Sequence, residues 1–73
     1  MACIRNLYFD LIDDYDPYYD KSEIQNISNS DMLYNLKEMK NNYTIDDLKD
    51  NELLSIYNRI NTLIDLFQAL NIN

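Results

Sequence analysis

The sequence contains no glycine, histidine or tryptophan, and only one cysteine and one proline among its 73 residues. Histidine is the commonest general base and the commonest metal ligand, so its absence removes the usual means of both kinds of chemistry. Without glycine, neither the Rossmann nor the P-loop type of phosphate-binding loop can form. The lone Cys3 has no second thiol, which excludes a disulfide framework and a thiolate zinc site. We therefore predict a protein that is not an enzyme and binds neither cofactor nor metal.

Long apolar segments are also lacking, since no run in the sequence approaches the roughly 20 residues of a transmembrane helix. The N-terminal region carries Arg5 and Asp10 and does not form the apolar core of a signal peptide. A single thiol fits a reducing compartment. We expect a cytoplasmic protein without membrane association, in the host cytoplasm if the source is a virus.

Basic residues are scarce: six Lys and Arg stand against thirteen Asp and Glu, and the net charge is -7. The imbalance is concentrated in residues 1–31, where seven acids oppose Arg5 and Lys21. A chain this acidic repels the phosphates of DNA and RNA, so direct nucleic-acid binding is not expected. The length suits a single domain, residues 1–73, with a small core.

The hydrophobic residues, 47% of the chain, follow a helical period in its first part. A helix is predicted over residues 2–15 and should end before Pro17, because the residue preceding a proline is displaced from helical backbone angles. Cys3 lies on the apolar stripe and is predicted to be a small buried hydrophobe, whereas Phe9 falls off the stripe. The stripe is formed by Cys3, Ile4, Leu7, Tyr8, Leu11, Ile12 and Tyr15.

Two further helices are predicted, over residues 31–40 after a Ser28 or Ser30 cap and over residues 51–70 after an Asp50 cap. Short turns are expected near 22–27 and 45–49. These elements define an all-α fold, a compact three-helix bundle in which the first and last helices should bury the most area. A homodimer formed through the last helix would enlarge the small hydrophobic core of the domain. The last helix carries one continuous apolar arc, formed by Leu53, Ile56, Tyr57, Ile60, Leu63, Ile64, Phe67 and Leu70.

The most unusual segment runs from Asp10 to Asp20 and combines five carboxylates with three tyrosines, without a basic residue. The first three carboxylates fall on one side of the predicted first helix, opposite its apolar stripe. We predict that this segment binds a partner through Asp10, Asp13, Asp14, Tyr15, Asp16, Tyr18, Tyr19 and Asp20.

Three interpretations of the segment compete. It can be a solvated face that serves only solubility. It can be a calcium loop, with Asp14, Asp16 and Asp20 at the first, third and seventh positions, although Tyr19 and Gln25 stand where such a loop needs glycine and glutamate. It can also be a binding surface for a basic protein, in which carboxylates supply charge and tyrosines supply anchoring area.

In size, acidity, this Asp/Tyr segment and its use of residues with AT-rich codons, the chain resembles phage-encoded counter-defence proteins. That class includes anti-CRISPR proteins and DNA mimics that block nucleic-acid enzymes. The resemblance implies a viral inhibitor whose partner is a larger protein with a Lys/Arg-lined groove, such as a CRISPR effector nuclease. The alternative is an antitoxin-like or regulatory helical module that binds through apolar surface, with Phe9, Leu54 and Leu66 as contacts.

Overall fold

The computed structural model describes residues 3–18 and 26–70. It contains three α-helices, α1 (Ile4–Tyr15), α2 (Asn29–Asn41) and α3 (Asn51–Leu70), and a 3₁₀ turn at Asp47–Lys49 before α3. No strand occurs in these two ranges. The predicted all-α class and three-helix bundle are therefore confirmed, as is the turn near 45–49. Most of the turn predicted near 22–27 lies outside the described residues.

Helix α2 and the 3₁₀ turn begin where side-chain oxygens accept hydrogen bonds from backbone N–H groups, whereas α1, preceded by Cys3, has no side-chain cap. Ser28 Oγ accepts a hydrogen bond from the Asp31 N–H at 3.1 Å, which places the start of α2. Thr44 and Asp47 form a reciprocal pair: Asp47 Oδ2 accepts from the Thr44 N–H at 2.9 Å, and Thr44 Oγ1 accepts from the Asp47 N–H at 3.1 Å. Of the two predicted caps, Ser28 and Ser30, Ser28 is the one used, so α2 begins two residues before the predicted residue 31.

Asp50 caps α3, because its Oδ1 accepts from the backbone N–H groups of Glu52 at 2.9 Å and Leu53 at 3.2 Å. We expect Asp50→Ala to lower the free energy of unfolding by about 1 kcal/mol, because both N–H groups lose their acceptor. For a domain of this size the thermal midpoint should fall by roughly 4–8 °C. Asp50→Asn keeps an acceptor oxygen and is the matched control, so an equal loss in both variants would contradict the capping role.

Helix α3 is the centre of the bundle, and both other helices pack against it. Two hydrogen bonds show how α1 runs relative to α2. Tyr8 bonds Asn35, and Tyr15, seven residues later, bonds Asn42 at the end of α2, also seven residues later. Helix α1 is therefore parallel to α2. It is antiparallel to α3, because Asp14, near the end of α1, contacts Arg59 in the first half of α3, whereas the earlier Tyr8 contacts Phe67 near the end of α3. The packing of α2 on α3 is more extensive than that of α1, contrary to the expectation that α1 would contribute the larger interface.

The core is built from the inward faces of all three helices. Tyr8, although polar at its tip, is only 1% exposed and places its ring edge-on to Phe67 at 6.4 Å between centroids. Its hydroxyl accepts a hydrogen bond from Asn35 Nδ2 at 3.3 Å, so the polar end of the buried Tyr8 has a hydrogen-bond partner. The buried set is Tyr8, Leu11, Ile12, Met32, Leu36, Met39, Ile60, Leu63, Ile64 and Phe67.

Three predictions for α1 are wrong in detail. Cys3 is exposed rather than buried, because it precedes the first helical residue and has an extended backbone, so its side chain does not follow the helical stripe. Leu7, predicted to be buried, is 38% exposed. Phe9 is half-buried against the core, with its ring 5.4 Å from that of Tyr8 and 5.9 Å from the Arg5 guanidinium. The buried face of α1 is thus rotated from the Leu7 side towards the Phe9 side.

The apolar arc of α3 is confirmed in its central part, where Ile60, Leu63, Ile64 and Phe67 are buried. At its end Leu70 is 47% exposed. Outside the arc, Leu66 is 43% exposed and Leu54 is half-buried. None of the three helices is both long enough and apolar enough to cross a bilayer.

Candidate functional site

Three carboxylates follow the outer side of α1. Asp10, Asp13 and Asp14 are exposed, opposite the side that buries Tyr8, Leu11 and Ile12. Residues three or four apart on a helix have Cβ atoms about 5–6 Å apart, so the three charges form a compact group. We call these three residues the acidic face. The structure places them together as the sequence predicts, and their role in binding stays a prediction.

Arg59 of α3 pairs with one end of the acidic face. Its Nη1 donates a hydrogen bond to Asp14 Oδ2, between residues 45 positions apart in the chain. The two side chains are 41% and 57% exposed, and a pair so open to solvent contributes at most about 1 kcal/mol. Sequence reasoning missed this partner because only the antiparallel packing of α1 and α3 brings it there. The contact orients the Asp14 carboxylate and offsets part of its charge.

The acidic segment continues past the end of α1 through a turn at Pro17. Asp16 has an extended backbone and its Oδ1 accepts from the Tyr18 N–H at 3.1 Å, which fixes the turn. Tyr18 follows and is 94% exposed. The turn therefore presents Tyr18 to solvent beyond the end of α1. The predicted binding residues Tyr19 and Asp20 lie outside the described residues.

Tyr15 has a different environment from Tyr18. It is half-buried, its hydroxyl accepts from Asn42 Nδ2 at 3.4 Å, and its ring lies 6.3 Å from that of Tyr43. The Tyr43 ring is in turn 5.3 Å from Tyr57 in an edge-on arrangement. These rings join α1, the α2–α3 connection and α3. Tyr15 therefore belongs partly to the packing between elements, and its outer part lines a cleft.

This cleft, here called the tyrosine cleft, has a volume of about 220 Å³. It is lined by Tyr15, Asn42 and Tyr43 and by two acidic residues, Asp14 of α1 and Asp47 of the 3₁₀ turn. Apolar side chains of α3, Leu53 and Ile56, also line it. The presence of Asp47 in the same cleft as Asp14 depends on the path of the α2–α3 connection, which no local pattern encodes.

A second acidic residue of this region also approaches α1. Glu52, in the first turn of α3, lines a shallow surface depression together with Asp14 and Arg59. Glu52 also lies at the N-terminal end of α3, where the helix dipole favours a negative charge. The charged surface at the Asp14 end of α1 thus includes carboxylates from three elements.

Tyr43 has an altered acidity. Burial, followed by the neighbouring Tyr15 and then Asp47, raises the pKa of its hydroxyl above the ordinary tyrosine value. The folded state therefore keeps Tyr43 neutral to a higher pH than the unfolded chain does. The stability that this provides is complete below about pH 10 and is lost as the pH rises through the raised value.

Accordingly, the unfolding free energy of the parent should fall more steeply above about pH 10 than that of Tyr43→Phe, which has no phenol to ionise at this position. Urea denaturation at neutral and alkaline pH measures both slopes. Parallel pH dependences in the two proteins would contradict the effect.

The calcium-loop interpretation cannot be built on the described part of the chain alone, because Tyr19, Asp20 and Gln25 lie outside it. Within residues 3–18 and 26–70, no three acidic or thiol side chains are grouped as a metal ion would require. Asp16, one of the three proposed ligands, instead accepts the Tyr18 N–H within its own turn.

Comparison of the chain with protein-family models, with curated proteins and with solved structures finds no match.

Proposed function

We propose that the protein is a non-catalytic inhibitor that occupies the basic nucleic-acid-binding groove of a larger protein. The acidic face and the exposed Tyr18 form its contact surface, and the partner is a nucleic-acid enzyme such as a CRISPR effector nuclease. The protein thereby excludes DNA or RNA from the groove as a nucleic-acid mimic does. This is the function expected of an anti-CRISPR protein, the class that the composition resembles.

The observation that carries this proposal is the combination of three adjacent exposed carboxylates on α1 with a 94% exposed tyrosine at its end. A Lys/Arg-lined groove is shaped to hold a row of negative charges, and a net charge of -7 steers the protein towards it. Tyrosine adds a large contact area at a small cost in conformational entropy. The rigid helix fixes the three carboxylates before binding, so little ordering is needed when the complex forms.

The test compares two variants of equal net charge. One variant replaces Asp10, Asp13, Asp14, Asp16 and Asp20 by Asn and is called the five-Asn variant. The control removes five carboxylates elsewhere, by amide substitution at Asp31, Glu38, Asp46, Asp50 and Asp65. Both variants retain side-chain shape, and their charge falls from -7 to -2.

Each protein is immobilised and used to capture proteins from bacterial lysate, and the captured proteins are quantified by mass spectrometry. We expect a nucleic-acid enzyme that binds the parent and the control, is lost with the five-Asn variant, and is displaced by added double-stranded DNA. Capture that is insensitive to DNA and to the five-Asn substitutions would contradict the proposal. Binding should also weaken as salt rises, because exposed charges are screened over about 8 Å at physiological ionic strength.

A second candidate function is an interaction module that binds through apolar surface. It is favoured by a groove of about 330 Å³ between α1 and α3, where Leu7, Leu63 and Leu66 lie among four polar residues of α3, Ser55, Asn58, Arg59 and Thr62. Two of these leucines, Leu7 and Leu66, are more than a third exposed. Of the contacts expected for such a module, only Leu66 lines this groove, whereas Phe9 packs against the core. A complex formed there should be insensitive to salt and to the five-Asn substitutions, and should be lost on Leu66→Asp.

A further inference from the structure

The tyrosine cleft has features that suit a particular chemical group. Its lining residues include two tyrosines, two aspartates and two apolar residues of α3. The face of a tyrosine ring carries negative electrostatic potential, and a carboxylate carries a full negative charge. Both attract a cation, whereas the apolar lining accommodates methylene groups. We infer that the tyrosine cleft binds the side chain of an arginine from a protein partner.

The size of the cleft favours a single side chain. About 220 Å³ is smaller than the roughly 300–1,000 Å³ of pockets that enclose drug-sized molecules. A planar guanidinium stacks on an aromatic ring and bonds a carboxylate with two parallel N–H groups, whereas a lysine ammonium does neither. The arrangement of Tyr15 and Tyr43 with Asp14 and Asp47 therefore favours arginine over lysine.

The two carboxylates retain acceptor capacity for such a ligand. Asp47 uses Oδ2 to accept from the Thr44 N–H, and Asp14 uses Oδ2 to accept from Arg59. A carboxylate has about four acceptor positions in total, so both residues can accept further hydrogen bonds. Arg59 competes for Asp14, however, and its own charge opposes a second cation. The raised pKa of Tyr43, caused in part by Asp47, is consistent with a negative local potential at the cleft.

The assignment of the arginine to a partner protein rests on the proposed function, whereas the affinity of the cleft for a guanidinium does not. The experiment therefore uses a small probe in place of a partner. N-acetyl-arginine N-methylamide is titrated into the isotope-labelled protein, and the signals of the backbone and the tyrosine rings are followed by NMR. The corresponding citrulline derivative has nearly the same shape and no charge, and it is the control probe.

We expect saturable shifts centred on Tyr15, Tyr43 and Asp47 with the arginine probe, and at least about fivefold weaker binding of the citrulline probe. Asp47→Asn keeps an oxygen for the Thr44 N–H and should weaken arginine binding about fivefold. The matched control is Asp46→Asn, which removes the same charge from a neighbouring side chain that pairs with Lys49 and is not part of the cleft lining. This variant should change the affinity less than twofold.

Arg59→Gln supplies an opposite test. It releases Asp14 from its partner and removes the competing charge, so arginine binding should strengthen about twofold to fivefold. Equal binding of citrulline, equal losses in Asp46→Asn and Asp47→Asn, or shifts spread evenly along α1 would each overturn the inference. Failure of the probe to bind, while the parent still captures a DNA-displaced partner through the acidic face, would refute the cleft and leave the proposed function standing.

Discussion

Ile60→Asp is expected to abolish the cooperative fold of the protein. Ile60 is completely buried in the middle of α3, the helix on which the other two pack. The substitution removes apolar contacts worth about 2–5 kcal/mol and places a carboxylate in the apolar core. A domain of this length has a free energy of unfolding of roughly 4–11 kcal/mol. The expected loss is therefore comparable to the whole free energy of unfolding, and circular dichroism should show no sigmoidal thermal transition.

The control for Ile60→Asp is Leu66→Asp on the same helix. Leu66 is 43% exposed, so its new carboxylate remains hydrated and the fold should persist with a loss of about 1 kcal/mol or less. A conservative Ile60→Val should cost about 0.5–1.5 kcal/mol and retain the transition. If Ile60→Asp melts cooperatively within a few degrees of the parent, the arrangement of the core around α3 is wrong.

The sequence predicts the helices well wherever local interactions determine them. Asp50 and Ser28 cap α3 and α2 through hydrogen bonds to residues two or three positions away, and such bonds can be inferred from residue order alone. The end of α1 at Tyr15 follows from Pro17, because Asp16 adopts the extended backbone that a following proline favours. These boundaries need no knowledge of the tertiary structure.

The orientation of α1 in the bundle was harder to predict, because its sequence offers two adjacent apolar faces. Leu7 and Phe9 lie on opposite sides of the buried Tyr8, and helical periodicity alone favours the face with Leu7. In the structure the Phe9 ring contacts the Tyr8 ring, and the Arg5 guanidinium lies over the Phe9 ring. The choice between the faces thus depends on side chains whose neighbours only folding supplies.

The acidic face was predictable and the tyrosine cleft was not. Asp10, Asp13 and Asp14 share a side of one helix, and this follows from helical spacing. The cleft combines Asp14 with Asp47 and Tyr43, which lie about thirty positions further along the chain. Its formation requires the parallel packing of α1 and α2 and the path of the connection to α3. A search for acidic and aromatic residues along the sequence finds the components without showing that they meet.

The five-Asn variant is expected to fold like the parent and to lose most of its affinity for a basic partner. The side chains of Asp10 and Asp13 are exposed, and Asn at position 16 still offers an oxygen to the Tyr18 N–H, so the fold should be maintained. Asn at position 14 weakens only a surface pair with Arg59. Binding should fall at least about tenfold at physiological salt, and chiefly through slower association, because exposed charges act on the encounter of the two proteins.

Tyr18→Ala should affect the same complex through a different rate. Its exposed ring is expected to become desolvated at the centre of the contact, so its loss should accelerate dissociation and leave association nearly unchanged. Tyr34→Ala is the matched control, because Tyr34 is also well exposed, at 64%, but belongs to α2 and not to the acidic segment. Surface plasmon resonance of the captured partner measures both rates. A different outcome would contradict this role of the acidic face: the five-Asn variant and Tyr18→Ala bind the partner as the parent does, whereas Leu66→Asp does not. The groove between α1 and α3 that contains Leu66 would then be the functional surface, and the acidic face would serve only solubility.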